Sequence, residues 1–353
     1  MNIIEHAKLA PYTSFECGGE TDRLVIIENY ADTQRLTDIT HDQQLWTLGY
    51  GCNVLVSDRG LPGTSLLFRG GGISLEDNTL IADAGVWWDD LVLHTIDHEL
   101  FGLELMSGIP GGVAAAVVGN IAAYGQAVAD TLSWIEIFDT ETKTVRRMSP
   151  NELDFSYRYS NLQEPENRHS IILRAAFMLS PKPTHELTYQ TALDVAEREG
   201  HDISTLHGRR LSILGAREAA GSLWDYRESS HSNKTAGSFF RNPQVTTEQA
   251  ERIIQFDETG KSAELIKKMN TIHGGDSLRV SAAHVLLAAG FTRGQTWGDV
   301  RLHPQHVLKI ENVGSASAQD IYNVAQEIIR TTQEKLGITL VPEVRFLGEF
   351  TNR

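Results

Sequence analysis

The stretch from Ser107 to Gly125 reads SGIPGGVAAAVVGNIAAYG, and it restricts the fold of this 353-residue chain more than any other feature. Glycine reaches backbone conformations that other residues pay for, and Gly, Ala and Val let main chain lie flat against a planar ligand. Asn120 and Tyr124 supply the polar handles. Small side chains would serve a closely packed helix-and-loop crossing equally well. A second segment, GYGCNVLVSD at residues 49–58, ends a strand in Gly-x-Gly-x-Asn, whose bare N–H groups can hold a pyrophosphate without a lysine. It is not a Walker loop, and it lacks the third glycine of the dinucleotide fingerprint. Together the two segments predict a large nucleotide cofactor gripped by main chain.

Around them the chain alternates. DRLVIIEN and QLWTLGYG read as strands flanking a helix in ADTQRLTDITHD, and SLLFRGG, NTLIADAG and the amphipathic WWDDLVLHTIDHEL continue the series. SWIEIFDTETKTVRRMS reads as a strand pair, SPNE as a capping box with Pro at the first helical position, and HSIILRAAFML as a buried strand. Beyond SPKPTHELTY come the helices YQTALDVAEREG and LSILGAREAAG, then a polar run, RESSHSNK. Two more helices are expected at residues 246–256 and at 318–336, the latter capped by Ser317, before a final strand in LVPEVRFLG. A boundary near residues 181–210 then separates two α+β modules.

Composition excludes several function classes. With 31 basic against 46 acidic side chains the net charge is −15, so DNA binding would gain nothing from counterion release. A local basic pocket for a small anion stays open, because net charge says nothing about individual clefts. Cys17 and Cys52 stand far apart without metal-ligand spacing, as expected in a reducing cytoplasm. No signal peptide and no membrane insertion are expected. His284, His303 and His306 read as packing or hydrogen-bonding residues, and no metal site is expected.

Taken in order, GYGCNVLVSD, SGIPGG…GNIAAYG, FSYRYS, AGSFFRNP and PEVRFLG resemble the motif series of the UDP-N-acetylenolpyruvoylglucosamine reductase family, flavoenzymes of peptidoglycan synthesis. The resemblance covers nearly the whole chain. It implies an α+β protein with a two-lobed FAD-binding domain of the vanillyl-alcohol-oxidase (PCMH) type at 14–185, its lobes dividing near residue 70. A C-terminal α+β substrate domain is implied at 210–353. The segment at about 181–215, with its LTY, resembles that of the subgroup carrying a tyrosine loop over the substrate. Noncovalent FAD, NADPH as reductant and UDP-N-acetylenolpyruvylglucosamine as substrate follow, in a cytoplasmic monomer serving cell-wall biogenesis and hence cell shape and division.

The chemistry sets requirements. Hydride added to the terminal carbon of an enolpyruvyl ether pushes negative charge toward the carboxylate, and a proton must reach the α-carbon. The site needs a cation or acid over the carboxylate and a proton donor at carbon. By the resemblance, Arg158 and Glu343 serve the carboxylate and Ser238 donates the proton. Gly237 would grant close approach, and Phe239 and Phe240 would exclude water. For FAD the resemblance implies Gly49, Gly51, Cys52, Asn53 and Leu55 in the first loop. In the second it implies Ser107, Gly108, Ile109, Pro110 and Gly111, with Asn120, Tyr124 and Gly125 beyond. Tyr189, Asn242, Gln305 and Arg345 would line the UDP-sugar.

Three departures stand out. Where the family usually carries a lysine this chain has Ala220, leaving Arg217, Arg227, Lys234 or Arg241 as possible substitutes. Ala114, Ala115 and Ala116 replace the usual glycine pair, and the Phe-Lys after the YRxS motif is missing. A flavin oxidase of sugars or alcohols, or a nonenzymatic nucleotide-binding paralogue, are the competing readings. Retention of Arg158, Ser238 and Glu343 together speaks against both.

Overall fold

The computed structural model describes residues 1–40, 44–225, 227, 234–255 and 278–352. Its fold is α+β, in two compact units that interleave along the chain: residues 1–7, 22–50 and 62–228, and residues 8–21, 51–61 and 229–353. A linear division into 14–185 and 210–353 therefore differs from the contact structure at both ends.

In the first unit a four-stranded sheet runs Asn2–Lys8, Glu20–Ile27, Leu61–Phe68, Leu45–Leu48. A five-stranded antiparallel sheet runs Thr144–Met148, Leu132–Asp139, Ser170–Met178, Thr79–Asp83, Ile73–Glu76. The helix Trp88–Asp97 buries Trp88, Leu91, Val92 and Thr95, one face at helical spacing. Trp88 meets Phe177 of the second sheet edge-on, with ring centroids 5.9 Å apart. The expected single helix in ADTQRLTDITHD is instead two turns, Tyr30–Thr33 and Leu36–Ile39, and residues 41 and 42 lie outside the described residues. At the break the Thr33 hydroxyl bonds back to the Tyr30 carbonyl at 2.6 Å, competing with helix continuation.

The helices Gln190–Glu199 and Leu206–Ala219 also belong to the first unit. They approach closely because Gly215 has no side chain; a Cβ there would come within 2.7 Å of Val195. Two ion pairs hold them to the unit: Arg209 to Glu104 at 2.8 Å, and Arg210 to Asp89 at 2.6 Å. By contact the first unit continues through residue 228, beyond the expected boundary at 181–210.

The second unit carries an antiparallel sheet ordered Lys234–Ser238, Lys309–Asn312, Val300–Leu302, Thr296–Trp297. Helices Thr247–Gln255, Ala282–Ala288 and Ala318–Leu336 accompany it. The expected end of the first of these at Phe256 lies outside the described residues, as does most of the RESSHSNK run. Ser317 and Asp320 form a capping box on the long helix, which buries Ile321, Val324, Ala325 and Ile328. Both oxygens of Asp58 accept N–H groups of its first turn, Ala318 at 2.9 Å and Gln319 at 2.8 Å. A carboxylate there complements the helix dipole, and it explains why residues 51–61 cluster with the C-terminal part. The final strand is short, Arg345–Leu347, and pairs in parallel with Val54–Val56. No described helix is long and apolar enough to cross a membrane.

Candidate active site

The Gly-rich segment becomes a tight turn, the helix Val113–Val118 and a two-stranded hairpin, Ala122–Ala123 with Gln126–Ala127. Its entry is fixed from two sides. The Gly108 N–H donates to Asp89 at 2.6 Å, and the Gly108 carbonyl accepts from Arg217 at 3.1 Å. Gly111 at φ +129° and Gly125 at φ +95° have nothing within 4 Å where a side chain would stand. These two positions leave open space beside bare backbone, which fits a flat nucleotide group. Ser107 is buried and donates to the Glu104 carbonyl at 2.6 Å, bracing the turn with Ile109 and Pro110.

Asn120 is not a handle aimed outward. Its side chain accepts from Ala129 N–H at 3.1 Å and donates to the Ser156 carbonyl at 3.0 Å. It thereby ties the Gly-rich segment to the turn that carries Arg158. Asn120, Tyr124 and Arg158 are all non-glycine residues in the left-handed region, at φ +40°, +51° and +55°. Such conformations cost free energy and collect at functional sites.

Tyr124 meets Tyr189 edge-on, with centroids 5.4 Å apart. Burial raises both phenol pKa values; Tyr157 pushes Tyr189 further up while Arg158 opposes, and Arg217 opposes the rise at Tyr124. Burial lowers the Arg217 guanidinium pKa, and Arg158 adds to that effect by repulsion. Arg158, Arg217, Tyr124 and Tyr189 thus form one locus in the first unit.

The remaining predicted residues fall in the second unit, apart from Gly49. Phe239 and Phe240 are core residues, at 0% and 2% exposure, rather than a wall over a pocket. Phe239 packs against Phe15, Phe240 and Phe346. The aromatics anchor the strand and leave Ser238 exposed at its end. Gly237, at φ +75°, has open space on its side-chain side. The Phe239 carbonyl accepts the Glu343 N–H at 2.8 Å, so Glu343 lies on the strand segment next to Ser238. Asn53 joins it, donating to the Glu343 carbonyl at 3.1 Å while its own carbonyl accepts Arg345 N–H at 3.0 Å. Ser238, Glu343, Asn53 and Arg345 are therefore brought together.

Other predicted residues do different work. The Gly51 side-chain direction is filled by the Tyr12 carbonyl, so this glycine serves close backbone packing. Leu55 is fully buried in the core, and Cys52 is half-buried. The Asn242 side-chain oxygen accepts Ala282 N–H at 2.9 Å, at the start of a helix. Gln305 is exposed, its backbone N–H donating to His303 Nδ1 at 3.0 Å. His306 Nδ1 accepts the Leu308 N–H at 3.3 Å. Of the candidates to replace the family lysine, Arg227 pairs with Asp225 and Asp90, and Lys234 with Glu16.

Asp89, Glu104, Arg209 and Arg210 escaped the sequence reading. A signal was present: Glu104 interrupts the apolar FGLELM, and Arg209-Arg210 interrupts a helix that otherwise buries Leu206, Ser212 and Ile213.

Comparison with known proteins agrees with this architecture. Residues 21–149 match the FAD binding domain family, and residues 228–347 match the C-terminal domain of UDP-N-acetylenolpyruvoylglucosamine reductase. The chain is 30% identical to the UDP-N-acetylenolpyruvoylglucosamine reductase of Streptomyces coelicolor, over 98% of its length and 90% of that protein's. It is 31% identical to the one from Salinispora arenicola, over 95% and 93%. The crystal structure of the reductase from Thermus caldophilus shares the fold, with a TM-score of 0.64 at 24% identity and 98% coverage of both chains. The chain belongs to the UDP-N-acetylenolpyruvoylglucosamine reductase family, FAD-dependent oxidoreductases.

Proposed function

We propose that this protein reduces the enolpyruvyl ether of UDP-N-acetylglucosamine to UDP-N-acetylmuramate, with NADPH as electron source and noncovalently held FAD. The observation that carries the reading is Ser238, exposed at the end of a core-anchored strand beside an open glycine, with Glu343 on the adjoining segment. The relatives' names supply the substrate class. A cytoplasmic monomer is the state that goes with it.

FAD would be held by main chain at Ser107–Gly111 and Gly125, where two glycines leave space, with Tyr124 alongside. Bound there, it supplies a carrier that takes hydride from NADPH and passes it to carbon. The chain's own part is electrostatic and acid–base. Arg158 and Glu343 bind the substrate carboxylate, the first as a planar cation. They favour the enolate-like state over the neutral ether. Ser238 then gives its hydroxyl proton to the α-carbon, which a weak acid can do when held against the reacting atom. Tyr189, Asn242, Gln305 and Arg345 orient the sugar nucleotide.

Anaerobic flavin spectroscopy in two stages tests this. NADPH should bleach the flavin, and the enolpyruvyl UDP-sugar should restore its colour far faster than oxygen does. Faster recovery with oxygen, and none with the UDP-sugar, would make the protein a flavin oxidase.

A further inference from the structure

The helix Trp88–Asp97 buries Trp88, Leu91, Val92 and Thr95 and turns polar side chains the other way. On that side His94 is followed four residues later by His98, the spacing at which helix side chains are neighbours. The two do meet: their ring centroids are 4.3 Å apart, with the planes inclined by 35°. His94 is half-buried and His98 is exposed. Both lie in the first compact unit.

The helix itself sets the tautomer of His98. Its Nδ1 lies 2.8 Å from the His94 carbonyl oxygen. A carbonyl only accepts, so Nδ1 carries the proton and neutral His98 keeps its lone pair on Nε2. Histidine ligands of metals are oriented in the same way, by a hydrogen bond from the nitrogen that does not bind the metal. His94 is uncharged near neutrality as well. Burial lowers its pKa below 6.5, repulsion by His98 lowers it further, and Asp97 opposes. Two neutral imidazoles side by side suit zinc, copper or nickel rather than a hard cation such as magnesium. Histidines four residues apart on one helix face are the pair that grips zinc in helical metal motifs. The place along the helix favours a cation too. His98 caps the last turn, where unpaired carbonyl oxygens leave the helix end negative. Among the described residues no group of three or more His, Cys, Asp or Glu side chains is arranged for a metal. The pair therefore offers two ligands and leaves the remaining positions to water.

We propose that His94 and His98 form a surface site for a borderline divalent cation, zinc above all, held by the two imidazoles and completed by water. The ion staples the last turn of a helix whose first turn holds the Gly-rich segment, through Asp89 and the Gly108 N–H. The site uses none of the residues assigned to flavin or substrate.

Calorimetric titration of the oxidised holoenzyme with zinc chloride tests the site. The tightest binding should be one ion per chain. His94→Gln and His98→Gln should each weaken it at least about tenfold, the lower end of what losing even a ligand's supporting partner costs. Cu²⁺, which such ligands bind more tightly, counts the donors. Its electron paramagnetic resonance spectrum should show two imidazole nitrogens in the wild type and one in either variant. Zinc should also raise the melting temperature of the wild type and of neither variant, because a ligand stabilises the fold that binds it. Unchanged flavin content shows that a variant has folded, and His94→Asn or His98→Asn replaces one that has not. Absence of zinc binding, or equal affinity in the wild type and both variants, overturns the site. Weakening in one variant alone overturns the shared coordination.

Discussion

Arg209 and Glu104, 105 residues apart, form an ion pair of 2.8 Å with side chains 7% and 0% exposed. Each has further partners. Arg209 donates to the His185 and Ile203 carbonyls, and Glu104 accepts from Gly102 N–H and Gln126. Removing one charge strands the other. Arg209→Met should lower unfolding free energy by about 3–5 kcal/mol, read from urea denaturation. Adding Glu104→Gln, which still accepts both N–H bonds, should recover part of the loss. If the single and double variants are equally unstable, the pair owes nothing to charge.

Asn120→Ala should be unusually harmful for a side chain that small. It removes the side-chain partner of the Ala129 N–H and of the Ser156 carbonyl, two part-buried hydrogen bonds worth about 0.5–1.5 kcal/mol each. The Gly-rich segment and the Arg158 turn also lose their tie. Purified variant should melt earlier and carry less flavin per chain. Full flavin content together with unchanged melting would refute the bracing role.

Ser238→Ala should bind FAD and accept hydride from NADPH normally, because neither step protonates carbon. Reoxidation by the enolpyruvyl UDP-sugar should fall by about 10²–10⁴, the usual cost of a lost general acid. Ser238→Cys should regain part of that rate. Rapid mixing of the pre-reduced variant with substrate gives the answer directly. Arg158→Ala and Glu343→Gln should instead weaken substrate binding and rate together.

Stability should depend on His306 in mildly acid solution. Burial first, then Lys309, His303 and Arg293, bring its pKa from 6.5 to about 4. A base whose pKa is depressed by folding binds its proton more readily unfolded. Its contribution is therefore whole above pH 6.5 and drains away as pH falls toward 4. The full loss is on the order of 3 kcal/mol. His306→Gln should flatten this part of the curve in denaturant titrations between those limits. Parallel curves for both proteins would remove His306 as the cause.

Local order was legible in the residues themselves. The helix Ala318–Leu336 was readable with Ser317 as its cap, and the structure adds Gly337 at φ +69° after its last turn. The 3-10 turn at Pro150–Glu152 begins at the Ser149 capping box that SPNE implies. These signals suffice because caps and amphipathic faces act over a few residues. Motif order likewise revealed the family, and hence the α+β fold. What sequence could not determine is which distant segments meet. Residues 51–61 join the C-terminal unit through Asp58 at a helix start 260 residues away. Phe239 and Phe240 became core instead of a water-excluding wall, since three other phenylalanine and leucine side chains, Phe15, Phe346 and Leu55, gather on them. Lys309 stands across from Ser238 only because of strand register, and a slip of one residue would turn it to the other face. Register and the burial of distant charges are properties of the assembled chain, where long-range contacts decide which side chains lose water.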